Sequence, residues 1–148
     1  MNKISLIFLF LSIIAGTASP CFSDNSRNKK ESFNSDLKYA QVLFVKAQKN
    51  NNTWTFHVTV EHKDEGWDHY ADAWQIVNPI NGEVIATRTL YHPHENEQPF
   101  TRSLSNISIP GSIISVSVQA KCNKHGFEGK KVIVDLTGSK GDSFMVIK

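Results

Sequence analysis

Apolar and polar residues alternate along much of this chain, beginning near residue 39. The clearest example is the stretch 54–61, in which a tryptophan, a phenylalanine and two valines are separated by single polar residues. Successive side chains of a β-strand point to opposite faces, so this period of two predicts a strand with one buried face. The stretches 114–120 and 132–136 repeat the pattern with isoleucine, valine and leucine on the inward side.

The alternating stretches and the turn residues between them predict seven strands. The predicted strands cover residues 39–47, 54–61, 73–77, 83–90, 100–104, 114–120 and 132–136. The pairs Asn81-Gly82 and Pro110-Gly111 are typical of the tight turns that connect strands. No window has the period of an amphipathic helix. We therefore expect an all-β chain that folds as a single β-sandwich of about seven antiparallel strands, immunoglobulin/fibronectin type III-like in topology.

The first 23 residues have the layout of a secretory signal peptide. A lysine at position 3 precedes an apolar run and then small residues, and cleavage fits after Ala18 or after Ser23. The apolar run is too short to span a membrane stably. We expect an exported protein, periplasmic or secreted. After the signal peptide (1–23) we expect a flexible lead-in over 24–36, the sandwich over 37–137 and a C-terminal tail or edge strand over 138–148.

Charge and cysteine content argue against a nucleic-acid-binding protein and against a fold held by disulfides. The net charge of +2 over 148 residues provides no basic field for nucleic acid. Cys21 is lost if cleavage follows Ser23, which leaves Cys122 alone, so no disulfide framework holds the domain. Lipid attachment at Cys21 is an alternative that we disfavour. Acylated cysteines are normally preceded by a small residue, whereas Cys21 is preceded by Pro20.

Histidines collect in the predicted connections after the second, fourth and sixth strands. If strands alternate in direction, these three connections emerge at the same end of the sandwich. They contain five of the six histidines and seven carboxylates. The connections are residues 62–72, 91–98 and 121–129. The topology therefore predicts one shared, histidine-rich surface.

Imidazoles beside carboxylates are typical of a transition-metal site, and the ion expected here is zinc or copper. The leading pair is His92 and His94, which Pro93 holds on an extended backbone with both side chains on one face. His69 and His125 are the next expected ligands. The secondary candidates are Glu95, Glu97, His62 and Cys122, the last lying three residues before His125.

The same histidines also have a purely structural interpretation. His62 continues the inward parity of the second strand, so it could cap the core and bond a loop carbonyl. His92 and His94 could belong to a rigid loop in which they bond the backbone or Glu95 and Glu97. These alternatives stay open at the level of sequence.

Two other function classes compete with metal binding. An enzyme is disfavoured because the chain has no nucleophile elbow, no His-Glu-x-x-His helix and no phosphate-binding glycine loop, although a metal-dependent hydrolase stays a minor alternative. The main alternative is an accessory or adhesion module that binds a protein or glycan through exposed aromatic rings. Its anchors would be Trp67, Tyr70, Tyr91 and Phe127, whereas a simpler interpretation makes Trp67, Tyr70 and Trp74 core and loop anchors. The module predicts histidines turned inward, and metal binding predicts clustered imidazoles that solvent can reach.

Three segments resemble a family of exported bacterial proteins. They are GWDHYADAW at 66–74, HPHENEQPFTRSL at 92–104 and HGFEG at 125–129. The resemblance covers most of the mature domain and implies a bacterial, periplasmic protein. The resemblance implies no ligand and no functional residue for this chain. The candidate site residues are therefore inferred from the sequence pattern alone.

Overall fold

A computed structural model describes residues 36–148, so the predicted signal peptide and nearly all of the predicted lead-in lie outside the described residues. None of the described residues is helical, and this part of the chain therefore has no helix that could cross a membrane. Within it the chain forms nine strands. They are β1 (Gln41–Asn50), β2 (Thr53–Glu61), β3 (Ala71–Val77), β4 (Val84–Thr89), β5 (Phe100–Ile107), β6 (Ser115–Cys122), β7 (Val132–Asp135), β8 (Lys140–Gly141) and β9 (Phe144–Ile147).

The strands form two sheets that pack face to face. One sheet has the order β5-β2-β1-β9-β8 and the other has the order β4-β3-β6-β7. All neighbouring strands are antiparallel except β1 and β9, which run parallel. The chain changes sheet between β2 and β3, between β4 and β5, between β5 and β6 and between β7 and β8, as expected of an immunoglobulin-like or fibronectin type III-like β-sandwich. The predicted β-sandwich is confirmed.

The inward side chains of both sheets build the core. The burial of β2 alternates as its sequence predicts, with Phe56, Val58 and Val60 completely buried. Trp74 and Ile76 of β3 face them from the second sheet and are also completely buried. Each such side chain stabilises the fold by roughly 1.5–3 kcal/mol relative to an exposed position. The alternation therefore fixes which residues of each strand face the partner sheet.

The seven predicted strands correspond to β1–β7, with one clear difference at the start of β6. Ile114 was expected to face inward, but its side chain is 62% exposed. The backbone N–H of Ile113 donates to the carbonyl of Pro110, so the turn is still closing at that point and the strand begins only at Ser115. Residues in a turn do not follow the period of the strand that comes after them.

The stretch 138–148 adds two strands to the first sheet. β9 pairs with β1 in parallel, from Val45 opposite Phe144 to Gln48 opposite Ile147. β8 pairs with β9 through a short hairpin and lies at the edge of the sheet. The sequence left a C-terminal tail or an edge strand as alternatives for this stretch. In the structure it forms strands that belong to the sandwich.

Candidate metal centre

The three histidine-bearing connections meet at one end of the sandwich. The Asp64 carboxylate, in the first connection, accepts a hydrogen bond of 2.6 Å from the backbone N–H of His94 in the second. The Asn123 side chain, in the third, donates to the carbonyl of Trp67 in the first at 3.2 Å. The connections are residues 62–70, 90–99 and 123–131. The convergence predicted from strand direction is confirmed by these contacts.

The buried carboxylate of Asp64 holds the first and second of these connections together. Its Oδ1 accepts from the His62 ring nitrogen Nδ1 at 2.6 Å and from the backbone N–H of Ala71 at 3.0 Å, and its Oδ2 accepts from His94. Burial by itself would raise the pKa of Asp64. The hydrogen bonds from His62, His94 and Ala71 outweigh burial, so the pKa lies below its usual value and the carboxylate stays charged.

Three buried side chains form a group with the donors of a transition-metal site. One donor atom each from His62, His69 and Cys122 lies within 4.8 Å of the others. His62 and Cys122 are 1% exposed and His69 is 5% exposed. His62 directly follows β2, and Cys122 ends β6 beside the first residue of β3, so two strand ends fix the group. His69 was among the four leading predicted ligands, and His62 and Cys122 were secondary candidates.

The two histidines of this group are oriented by carboxylates. Nδ1 of His62 faces Asp64, and Nδ1 of His69 faces an oxygen of Glu65 at 3.2 Å. Nε2 of His69 is buried and has no hydrogen-bond partner within residues 36–148. At His69, the carboxylate on one imidazole nitrogen fixes the tautomer and leaves the other nitrogen as an electron-pair donor, which is how metal-binding histidines are held.

Nε2 of His62 lies 3.1 Å from the carbonyl oxygen of Lys38, in the segment that leads into β1. Both ring nitrogens of His62 therefore face acceptors, and the ring donates to both only when it carries two protons. The burial and the carbonyl contact confirm the interpretation of His62 as a residue that caps the core. The same position also makes it one of the three grouped donors.

His125 lies against the group but is only partly buried. Its Nδ1 is 3.4 Å from the sulfur of Cys122, and its ring centroid is 4.9 Å from that of His69. Tyr39 covers another side of the His125 ring at a centroid distance of 5.3 Å. His125 therefore contacts both Cys122 and His69 and is also reached by solvent.

The leading predicted pair, His92 and His94, stands outside this group. Their rings are adjacent, with centroids 4.5 Å apart, but His92 is exposed and donates from Nδ1 to the carbonyl of Pro93. His94 is buried and stacks on Phe100 at a centroid distance of 3.9 Å. The backbone of His94 is held by Asp64, which directs its ring onto the core.

The pKa of His94 lies below its usual value. Burial is the largest cause, and the positive charges of Arg102 and His92 add to it, while Glu97 and Asp64 act in the opposite direction. Nδ1 of His94 is buried without a hydrogen-bond partner in the part of the chain that the structure describes. A neutral imidazole tolerates this position better than a charged one.

The two predicted carboxylate ligands of the second connection face solvent. Glu95 is exposed, and Glu97 forms an ion pair with Arg102 of β5. The carboxylates that contact the grouped histidines are instead Asp64 and Glu65 of the first connection. The spacing of these two carboxylates from the histidines could have indicated the pairs, since Asp64 lies two residues after His62 and Glu65 lies four before His69.

Two aromatic side chains of this end are strongly exposed. Trp67 is 67% exposed and Tyr91 is 75% exposed. Trp67 is therefore not a core residue, and its backbone carbonyl accepts a hydrogen bond from Asn123 of the third connection. Trp74 is in the core as expected, and Tyr70 contacts the Trp67 ring edge to face.

Comparison with known proteins gives one informative relative. A protein of Halomicrobium mukohataei described as "Putative lipoprotein" is 38% identical to this chain over 101 residues, which is 68% of this chain and 49% of the relative. The chain therefore spans about half the length of that relative. No family model matches the chain, and no solved structure matches it.

The role of Asp64 can be tested with Asp64→Asn. The amide keeps the shape but places a donor against groups that themselves donate, so the free energy of unfolding is expected to fall by about 2–4 kcal/mol. Urea unfolding of the variant measures this loss. Asp68→Asn changes an exposed carboxylate of the same connection and should stay within about 0.5 kcal/mol of the unchanged protein. Equal effects of the two substitutions would contradict the role given to Asp64.

The lowered pKa of His94 predicts a pH dependence of stability. The unfolded chain takes up a proton at this histidine more readily than the folded chain, so stability falls as pH drops below about 6.5, until the lower pKa of the folded state is passed. His94→Phe keeps a flat ring against Phe100 and cannot be protonated. Its free energy of unfolding should decline less between about pH 7 and pH 5. His92→Phe, at the exposed neighbour, is the control, and a His94→Phe slope equal to that of the control would count against this assignment.

Proposed function

We propose that this chain is an exported, non-enzymatic β-sandwich protein that binds a zinc or copper ion through His62, His69 and Cys122. The observation that carries the proposal is the grouping of these three donors, all buried, within 4.8 Å of one another. Buried polar groups are normally paired, so the buried Nε2 of His69, which has no partner within the described residues 36–148, supports ion binding at this group.

The chemistry of the donors favours zinc or copper over hard cations. Two imidazoles and one thiolate are borderline to soft ligands, whereas calcium and magnesium prefer oxygen. A divalent ion bound to a thiolate leaves a net positive charge, and the carboxylates of Asp64 and Glu65 behind the two histidines compensate for it. Burial of the donors suits a site that holds its ion tightly, and it does not suit an ion exchanged at the surface.

Export is supported by the sequence and by the relative. The amino-terminal pattern predicts a signal peptide, three segments resemble exported bacterial proteins, and the relative from Halomicrobium mukohataei is described as a lipoprotein. We propose export to the periplasm or the medium. The relative's description gives Cys21 more weight as an acylation site than Pro20 alone suggests.

A second candidate function is an interaction module at the same end of the sandwich. The exposed rings of Trp67 and Tyr91 favour it, and so do the inward-facing histidines, which this hypothesis predicted. Clustering of the imidazoles favours the metal hypothesis. The two functions are compatible, because a buried ion could hold the loops that display the two rings to a protein or glycan.

Metal titration tests the first proposal. The purified reduced protein is expected to bind one equivalent of zinc or copper, measured by calorimetry and by elemental analysis after gel filtration. His69→Ala and Cys122→Ser should each weaken binding by more than the roughly 10–100-fold that loss of an outer-shell partner causes. Glu65→Gln, which alters such a partner, should fall within that range.

His92→Ala is the matched control, because it removes a histidine of the same end that lies outside the donor group. It should bind metal as the unchanged protein does. Absence of stoichiometric metal from the unchanged protein, or an equal loss in His92→Ala and His69→Ala, would refute the proposed site. The first result would leave the aromatic interaction surface as the better explanation of this end.

Export can be tested by expression of the full chain in a bacterial host. We expect osmotic shock to release a processed form whose mass fits cleavage after Ala18 or Ser23, with no added lipid. Cys21→Ser should be processed and released in the same way. Recovery of the protein in the membrane fraction with an acylated amino-terminal Cys21, abolished in Cys21→Ser, would overturn the expected lipid-free form and support anchoring.

A further inference from the structure

The turn that follows β6 folds His125 back over Cys122. The backbone N–H of Cys122 donates to the carbonyl of Gly126 at 3.3 Å, and the N–H of Gly126 donates to the carbonyl of Cys122 at 3.0 Å. Gly126 has a φ of +66°, a conformation that side chains rarely adopt, and this allows the turn to close. Nδ1 of His125 comes to 3.4 Å from the cysteine sulfur as a result.

Two backbone groups contact the sulfur of Cys122. The backbone N–H of His125 donates to it at 3.4 Å, and the carbonyl oxygen of Lys38 lies 3.5 Å away. Cys122 is buried and forms no disulfide within residues 36–148. The thiolate is the form of cysteine that binds a metal, so an ion bound here would take the place of the thiol proton.

We propose that His125 is the fourth ligand of the centre and that the ion is zinc, held in a closed shell of three imidazoles and one thiolate. This inference rests on the proposed metal function of His62, His69 and Cys122. Structural zinc sites are tetrahedral with four nitrogen or sulfur ligands, and the Cys122-to-His125 spacing lets one turn provide two of them. Nε2 of His69, buried and without a partner among residues 36–148, is a second imidazole nitrogen available to an ion at this group.

The competing fourth ligand is the carbonyl oxygen of Lys38. It lies 3.1 Å from Nε2 of His62 and 3.5 Å from the sulfur of Cys122. Two histidines and a cysteine with a weak backbone oxygen are typical of electron-transfer copper, whereas zinc is bound almost always by nitrogen, sulfur or carboxylate. The two alternatives therefore differ in the fourth ligand, which is His125 for zinc and the carbonyl oxygen of Lys38 for copper.

Cobalt(II) is the probe that separates them, since it takes the place of zinc and its visible spectrum reports coordination. The unchanged protein is expected to give the intense absorption of a tetrahedral site and no spectral change with added azide, because no position is open. His125→Ala should bind zinc at least about tenfold more weakly. Its cobalt spectrum should change with azide, and added imidazole should restore the original spectrum.

His92→Ala again serves as the control and should match the unchanged protein in zinc affinity and in azide response. Urea unfolding of each metal-free variant shows whether a loss of zinc affinity comes from misfolding. If it does, restoration of the cobalt spectrum of His125→Ala by imidazole decides whether His125 is a ligand. A His125→Ala protein with unchanged zinc affinity and spectrum overturns the inference. An azide response in the unchanged protein, or preference for copper(II) with thiolate-to-copper absorption, overturns it as well. Failure of the unchanged protein to bind zinc or cobalt refutes the underlying metal function instead.

Discussion

The histidine-bearing end of this protein depends on one buried charge, the carboxylate of Asp64. A charge in the interior is costly unless hydrogen bonds replace its water shell, and here a ring nitrogen and two backbone N–H groups do so. The three donors belong to His62, Ala71 and His94, which come from different parts of the chain. Satisfying the carboxylate therefore requires that the connections after β2 and β4 take up one relative position.

The two sheets determine the relative positions of the three donor residues, His62, His69 and Cys122. Ala71 pairs with Cys122 across the β3–β6 ladder, so His69, two residues earlier, emerges beside the cysteine. His62 follows directly from β2 in the opposite sheet and closes the group from that side. Sites supported by strand ends are more precise than sites built on loops alone. The sandwich thus fixes three donors whose sequence spacing alone shows no motif.

The sequence predicted the strands and the meeting of the connections because both follow from period-two burial and alternating direction. It also placed His62 correctly, since that residue continues the parity of β2. It did not predict which histidines would group. His94 turns onto Phe100 because its backbone is held by a carboxylate thirty residues away, and such long-range contacts leave no local pattern. The strong exposure of Trp67 was not predictable for a related reason, because loop side chains follow no fixed period.

The parallel pairing of β9 with β1 has a consequence for how molecules of this protein meet. A long strand with one free side is a template for a strand of another chain. β9 covers β1 from Val45 to Gln48, and the sheet then ends in the two-residue strand β8. The last residues of the chain thus leave few backbone groups at that edge for a second copy, which limits edge-to-edge aggregation.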